Sequence, residues 1–404
     1  MTSSGIVDVG VVGAGLVGLS VARALMERLP GLSVVVLDKE DDVARHQSSH
    51  NSGVVHSGLY YKPGSLKARL CVEGRNAVYD LCETEGIAHS RSGKLVIATE
   101  PSEIPALDEL ERRGNANGLV GMRRIGPGEI HEMEPEATGI AALSVPEAGV
   151  ADFQGIARHH ADWLTSSGAS IMTRSEVSAI SNLDGRVAVV AGERRFSVRA
   201  LVNCAGLHSD RVATLAGVRS GVRIVPFRGE YYRLREDAQH LVRALIYPVP
   251  DPRFPFLGVH FTRRVDGTVE VGPNAVLALG REHYRGAAPD WSELGTILSH
   301  PGFRRLALRH WRSGTSEMLN SRSTHLYARL ARRLVPGLRP EHLETGGAGV
   351  RAQAVDGSGR LVDDFGIEKA GHTVHVLNAP SPGATASIAI GRYLADVVQP
   401  LLRG

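Results

Sequence analysis

Cysteine, lysine and long apolar runs are what this chain of 404 residues has least of. Its three cysteines are Cys71, Cys82 and Cys204. No two of them form a CxxC pair, so neither a disulfide framework nor a zinc site of that type is available, and no metal site is expected. Isolated thiols in a chain this long point to a reducing compartment. The apolar run Ile6 to Leu19 is broken by Asp8 and by four glycines, with no Lys or Arg ahead of it, so it does not read as a signal peptide. No stretch of 18 apolar residues reads as a membrane span. The expected location is cytoplasmic, with a peripheral contact at the inner face of the membrane left open. A net charge of +3 gives nucleic acid no electrostatic claim on the chain. Only five of the 46 basic residues are lysine (39, 62, 67, 94 and 369). The rest are arginine, whose planar fork suits carboxylates and phosphates. No repeat with a period of 20–50 residues is visible, which argues against solenoids and propellers.

What is present is an ordinary folded composition, 43% hydrophobic and 22% charged. The length suggests two domains or three. Val7–Val12 is a β-branched run of the kind found in buried parallel strands. Gly13-Ala-Gly-Leu-Val-Gly18 follows it, and Leu16–Arg28 reads as a helix stopped by Pro30 and Gly31. Ser33–Leu37 is a second strand, ending at Asp38. A GxGxxG alone is weak. Here it follows a strand and opens a helix inside a βαβ unit, the setting in which it binds a dinucleotide. Gly13 serves the tight turn, Gly15 the approach of a pyrophosphate, and Gly18 close helix–strand packing. Asp38 is placed to accept from ribose hydroxyls. The fingerprint itself fits NAD and FAD alike. Further glycine-rich elements far along the chain favour FAD, whose extended length needs remote contacts. One is Ala200–Gly206 (ALVNCAG), which gives Ala205 and Gly206. The other is Pro380–Thr385, which gives Gly383, Ala384 and Thr385 before a helix to about Val398.

Between these elements, Lys94–Ala98 and Val187–Ala191 read as strands, and Ile156–Gly168 as an amphipathic helix. Residues 222–276 carry several short strand signals broken by Pro and Gly, the pattern of an antiparallel sheet. Residues 291–335 favour helix. Nucleotide-type motifs at the start, middle and end suggest a discontinuous domain with an insertion. The expected fold is α/β: a Rossmann-like FAD-binding domain (1–90, 150–220 and 341–404) with an inserted antiparallel-sheet substrate domain (91–149 and 221–340).

Four segments carry a more specific signal: HNSGVVHSGLYYKPGSLKARLCVEG (50–74), GVHFTRR (258–264), GAGVRAQAVD (347–356) and NAPSPGATASIAIGRYLAD (378–396). Together they resemble the L-2-hydroxyglutarate oxidase/dehydrogenase family, part of the D-amino acid oxidase-like group of FAD enzymes. The resemblance runs from about residue 7 to 400. It implies oxidation of L-2-hydroxyglutarate to 2-oxoglutarate by hydride transfer to flavin N5, with oxygen or a membrane quinone as electron acceptor. Related flavoenzymes attach their flavin covalently near the position of His50. Here the expectation is non-covalent FAD, with His50, Asn51, Ser52 and Gly53 touching it through a loop.

Oxidising a 2-hydroxy acid also requires loss of the hydroxyl proton, a task suited to histidine. His56 and His260 are the candidate bases, expected to titrate near pH 6–7. A dicarboxylate needs two anion sites. Arg351 occupies the position at which related amine oxidases place their carboxylate-binding arginine, and Arg228 is the second candidate. Tyr60, Tyr61 and Tyr231 are candidates to line the pocket. The rival readings are an amine oxidase or glycerol-3-phosphate-type dehydrogenase of the same superfamily, and a non-catalytic flavin-binding module.

Overall fold

The computed structural model describes residues 6–251, 258–284, 289–309 and 323–403. Two large sheets organise them, of eight and nine strands. The parallel heart of the first runs in the order Ser170–Met172, Val34–Leu37, Ile6–Val12, Arg194–Asn203, Thr373–Asn378. Strands covered on both faces need apolar side chains throughout, and all four residues of Val34–Leu37 are buried. Antiparallel strands extend the sheet: Arg186–Ala191 pairs with the start of Arg194–Asn203, and Gly366–Ala370 with Thr373–Asn378. Helices Leu16–Arg28 and Ser387–Val398 pack on each other against this sheet, so the first and last parts of the chain share one core.

Between these segments the chain builds the second sheet. From Arg123–Ile125 it passes through Ala141–Val145, Lys94–Ala98, Leu245–Pro248, His260–Arg263, Val269–Gly272 and Val222–Leu234. Its pairs are antiparallel apart from Lys94–Ala98 with Leu245–Pro248. The strands read from 222–276 are therefore present as a sheet.

Two features depart from the sequence reading. The boundary at 341 assigns residues 343–356 to the cofactor region. Their hydrogen bonds place them in the second sheet, as the 14-residue strand Leu343–Asp356 paired along Val222–Leu234. Its glycines at 346, 347 and 349 suggest a loop. The long partner strand overrides that local preference, as tertiary pairing often does for strands. The second feature is a 20-residue helix, Leu66–Glu85, inside and beyond the segment read only as a site motif. Ser65 caps its first turn by accepting from the Ala68 N–H, and Gly86 closes it at φ 66°. Cys71 and Cys82 are buried free thiols on this helix. Residues 310–322, within the region read as helical, lie outside the described residues. Among the described residues no helix is long and apolar enough to cross a membrane.

Candidate active site

One cavity of about 1220 Å³ runs between the two sheets. Its first end is the turn after Ile6–Val12. Gly13 sits at φ +104°, where an added Cβ would lie 2.5 Å from the Cys204 carbonyl oxygen. A Cβ on Gly18 would lie 2.0 Å from the Gly13 oxygen, so only glycine lets helix and turn close. Gly18 accordingly packs inside, while Gly13, Gly15 and Asp38 line the cavity. No side chain caps the helix at Gly15; the Leu16 N–H donates to Ser48 Oγ at 2.9 Å. Asp38 accepts from the Ala14 N–H at 2.6 Å through Oδ2 and from the Glu40 N–H at 2.9 Å through Oδ1. The carboxylate is thus fixed at the cavity wall with lone pairs remaining for a ribose.

The loop 46–53 forms the next stretch of wall. Asn51 Nδ2 donates to the carbonyls of Gln47 and Ser48, and its Oδ1 accepts from the Gly53 N–H. His50, Asn51 and Ser52 line the cavity, and Gly53 stands behind them at φ +72°. The His50 ring lies against Tyr284, with centroids 4.2 Å apart. Ala205, Gly206, Gly383, Ala384 and Thr385 line the wall from the other segments. Thr385 Oγ1 accepts from the His56 N–H at 3.1 Å and donates to the Val54 carbonyl, tying the C-terminal turn to the 54–56 segment.

The far end of the cavity carries different chemistry. His56, Tyr60, Tyr61, Tyr231, His260 and Arg351 meet there. The His260 Nδ1–H donates to the Gly258 carbonyl at 2.9 Å, which leaves Nε2 with the free lone pair. Its ring stacks on Tyr247, centroids 3.9 Å apart and 19° from parallel. His56 Nε2 lies 3.2 Å from Ser381 Oγ, and its buried Nδ1 has no partner among the described residues. Arg351 holds the Tyr231 hydroxyl. Burial pushes His56 down to about 3, assisted by the charges of Lys94, His260 and Lys67. Burial also pushes His260 down to about 3, with Arg351 and Lys94 adding to it and the Gly258 hydrogen bond opposing. This corrects the expected titration near pH 6–7: both imidazoles are neutral throughout the neutral range.

Arg228 is not brought to this end. It does not line the cavity, and its guanidinium pairs with Glu230, two residues along the same strand. Successive strand side chains face opposite sides, so Arg228 and Glu230 share a face and find each other there. Behind two lining residues of this end, Tyr60 and Tyr247, the structure places Lys94, which the sequence reading passed over and which does not itself line the cavity. Lys94 is 2% exposed and stands between the rings of Tyr60 and Tyr247, 4.4 and 4.8 Å from their centroids. A lysine opening the otherwise apolar strand KLVIA was the available signal. Tyr247 was missed because nothing local marks it, and Ser381 stood inside the 378–396 segment without being singled out. Near the nucleotide end, Glu40, His46 and Glu282 approach one another, and Lys39 already pairs with both carboxylates.

This constellation fits FAD. A glycine turn and an uncapped helix end suit a pyrophosphate, a fixed carboxylate suits a ribose, and the cavity continues to the tyrosine–histidine–arginine end. Residues 8–397 match the FAD dependent oxidoreductase family. The chain is 44% identical over 387 residues to L-2-hydroxyglutarate dehydrogenase of Indibacter alkaliphilus, covering 96% of this chain and 97% of that protein. It is 43% identical over 409 residues to the human mitochondrial L-2-hydroxyglutarate dehydrogenase, covering 97% and 88%. The Escherichia coli enzyme of the same name is 40% identical, with 98% and 94% covered. Among solved structures, L-α-glycerophosphate oxidase of Mycoplasma pneumoniae with FAD bound superposes with a TM-score of 0.78 at 23% identity, covering 98% of this chain and 94% of that one. Glycine oxidase of Geobacillus kaustophilus gives 0.72 at 19% identity, covering 97% and 94%. These two show a shared fold. With residues 8–397 matched by the family model and 96–98% of the chain covered by these relatives, the chain belongs to the FAD dependent oxidoreductase family and, within it, to the L-2-hydroxyglutarate dehydrogenases.

Proposed function

We propose that this protein oxidises the C2 hydroxyl of L-2-hydroxyglutarate to the ketone of 2-oxoglutarate, using FAD held non-covalently in the cavity. The observation that carries this reading is the meeting of two neutral imidazoles with Arg351 at one end of a cavity whose other end is a dinucleotide turn. Gly13, Gly15 and Asp38 would hold the nucleotide half of the cofactor, and the 50–52 loop and the 383–385 turn its flavin half. FAD, when bound, supplies a two-electron acceptor for the substrate's C2 hydride.

The chain's own residues supply the rest. Arg351 can clamp a carboxylate with two parallel N–H donors and so fix the adjacent C2 in two directions. An imidazole neutral at pH 7 can take the hydroxyl proton without first losing one of its own. His56 and His260 both qualify. His260 has its tautomer set by a carbonyl, and His56 has a buried nitrogen awaiting a partner. Helix Ser387–Val398 has no side-chain cap, so its positive end lends its field to this part of the cavity. Residues 6–90, 150–220 and 357–403 form the cofactor part in this reading, and 91–149 with 221–356 the substrate part. The electrons leave to oxygen or a membrane quinone.

The test is anaerobic mixing of the purified yellow protein with L-2-hydroxyglutarate while the flavin spectrum is followed. Bleaching by this substrate, and not by glycine, sarcosine or glycerol 3-phosphate, is the expected result. Bleaching by one of those three instead would replace the reading with one of its rivals. Acid precipitation should release intact FAD; flavin remaining in the pellet would point to a covalent tether and to His50.

A further inference from the structure

A substrate with a carboxylate at each end needs a second anion site, and Arg228 is committed elsewhere. The lysine nearest in kind, Lys67, lines the cavity, but its Nζ donates to the Asp363 carbonyl and carboxylate at 2.9 and 3.0 Å. Lys94 is different. Its Nζ is buried and has no hydrogen-bond partner among the described residues. The hydroxyl of Tyr60, against whose ring the ammonium stands, is likewise buried and without a partner. A buried ammonium with no acceptor is strongly disfavoured and is normally removed or paired. Tyr60 lines the cavity and Lys94 stands behind it, outside the lining, so an acceptor in the cavity would meet the orphaned hydroxyl with the orphaned ammonium at the back of its ring.

We propose that the Tyr60 hydroxyl and the Lys94 charge behind it form the site for the substrate's second carboxylate, opposite the carboxylate held by Arg351. Tyr60 lines the cavity and makes the direct contact. Lys94 is a positioning residue, supplying positive potential from between the Tyr60 and Tyr247 rings. Rings in cation–π contact with an ammonium present a hydroxyl that donates more strongly. Strand pairing holds Lys94 in place: it sits opposite Val145 on one side and Leu245 on the other. The proposal rests on the dicarboxylate reading above and names the residues that select for it.

The experiment uses flavin-loaded protein and two measurements. The first is kcat/KM for L-2-hydroxyglutarate against L-2-hydroxybutyrate, which lacks the second carboxylate. The second is the dissociation constant of the inert analogues glutarate and butyrate, read from the perturbed flavin absorbance. In Lys94→Met the preference for the dicarboxylate should fall by about 10–100-fold, the value of one charged contact. Tyr60→Phe should lower it by about 5–10-fold, the value of one hydrogen bond. Glutarate should lose affinity in both variants relative to butyrate. Equal losses for the di- and monocarboxylates would assign Lys94 and Tyr60 to packing and overturn the proposal, as would an undiminished preference. Should Lys94→Met fail to load flavin, Tyr60→Phe carries the same decision. If the unmodified protein itself shows no preference for L-2-hydroxyglutarate, it is the functional reading that has failed, and the glutarate measurement still judges the pocket.

Discussion

The two ends of the cavity are built on different terms. At the nucleotide end the work is done by backbone: a turn at positive φ, a helix start with glycine at its cap, and a loop whose Gln47 and Ser48 carbonyls are held by Asn51. Most of its residues lie within the first 53 positions of the chain, with Ala205 and Gly206 joining them. At the other end the work is done by side chains from segments far apart: His56 and Tyr60, Lys94, Tyr231, His260, Arg351 and Ser381. Backbone recognition tolerates little change at a few glycines. Side-chain recognition divides its energy among several groups, each removable on its own. Substitutions should therefore behave differently at the two ends: all-or-none at the first, graded at the second.

The largest expected effect is at the first end. Gly18→Val puts a side chain where even a Cβ would lie 2.0 Å from the Gly13 carbonyl oxygen. No rotamer relieves a backbone collision, and overpacking of this kind costs roughly 3 kcal/mol or more. The protein should be recovered without flavin. A normal flavin-to-protein ratio in this variant would show that the turn is less demanding than its geometry implies. At the second end, His260→Ala or His56→Ala should slow flavin reduction by about 10²–10⁴-fold in whichever is the base, while flavin content persists. The rate in the unmodified protein should show no imidazole titration between pH 5 and 8, since both groups lie near 3. Wild-type rates in both variants would remove both histidines from the chemistry. Rescue of one variant by added imidazole would identify the base.

This contrast also explains what could be read from sequence. The βαβ unit was legible to within a residue or two because its signals are local: β-branched runs, glycines at fixed spacing, and Pro30 with Gly31 after the helix. The antiparallel character of 222–276 was legible for the same reason. Arg351 came from family resemblance and His56 and His260 from the chemistry of proton removal, and all three line the cavity. Arg228 was attractive for its charge and its setting in PFRGEYY, yet the partner that engages it, Glu230, stands only two residues away. Lys94 was marked only as a lysine opening an apolar strand, because its meaning depends on Tyr60 and Tyr247, 34 and 153 positions away, and on burial that composition does not disclose. The strand Leu343–Asp356 was masked by its own glycines, and only its partner strand reveals it.

Arg351 gives the next effect in size. Arg351→Lys keeps the charge and loses the fork, so kcat/KM should fall about 10–100-fold in protein that retains FAD and its melting temperature. Arg351→Met should be worse. The bracing alternative is a salt bridge to Asp356 or Asp363 beside the hydrogen bond that Arg351 makes to Tyr231. The first is engaged by Arg360 at 3.0 Å and the second by Lys67 at 3.0 Å. A drop in melting temperature and flavin retention with an unchanged KM would nevertheless indicate a brace.

The smallest effect separates stability from selectivity at Lys94. Burial pulls its ammonium down from 10.5 to about 7. The groups facing it are Tyr60, Tyr247, Cys71, His56 and His260. Burial raises the first three and lowers the two imidazoles, so none of them titrates between pH 6 and 9. The sign follows from linkage. In the unfolded chain Lys94 binds its proton up to about 10.5, and in the folded chain only up to about 7. The unfolded state therefore holds more protons between these values, and stability rises with pH across that window. The penalty is full below about pH 7 and gone above about 10.5. Lys94→Met, close in shape and uncharged, should melt a few degrees higher than the unmodified protein at pH 6, for a gain of about 1–2 kcal/mol. The gain should shrink as the pH approaches 9. Over the same range, glutarate should bind the unmodified holoenzyme more weakly as the ammonium discharges above pH 7, with butyrate little affected. The two measurements pull in opposite directions only if the lysine is retained at a cost in stability for the sake of an anion. Lower stability in Lys94→Met at pH 6, together with glutarate binding that ignores pH, would make the lysine a packing element and leave the second end of the cavity without its second charge.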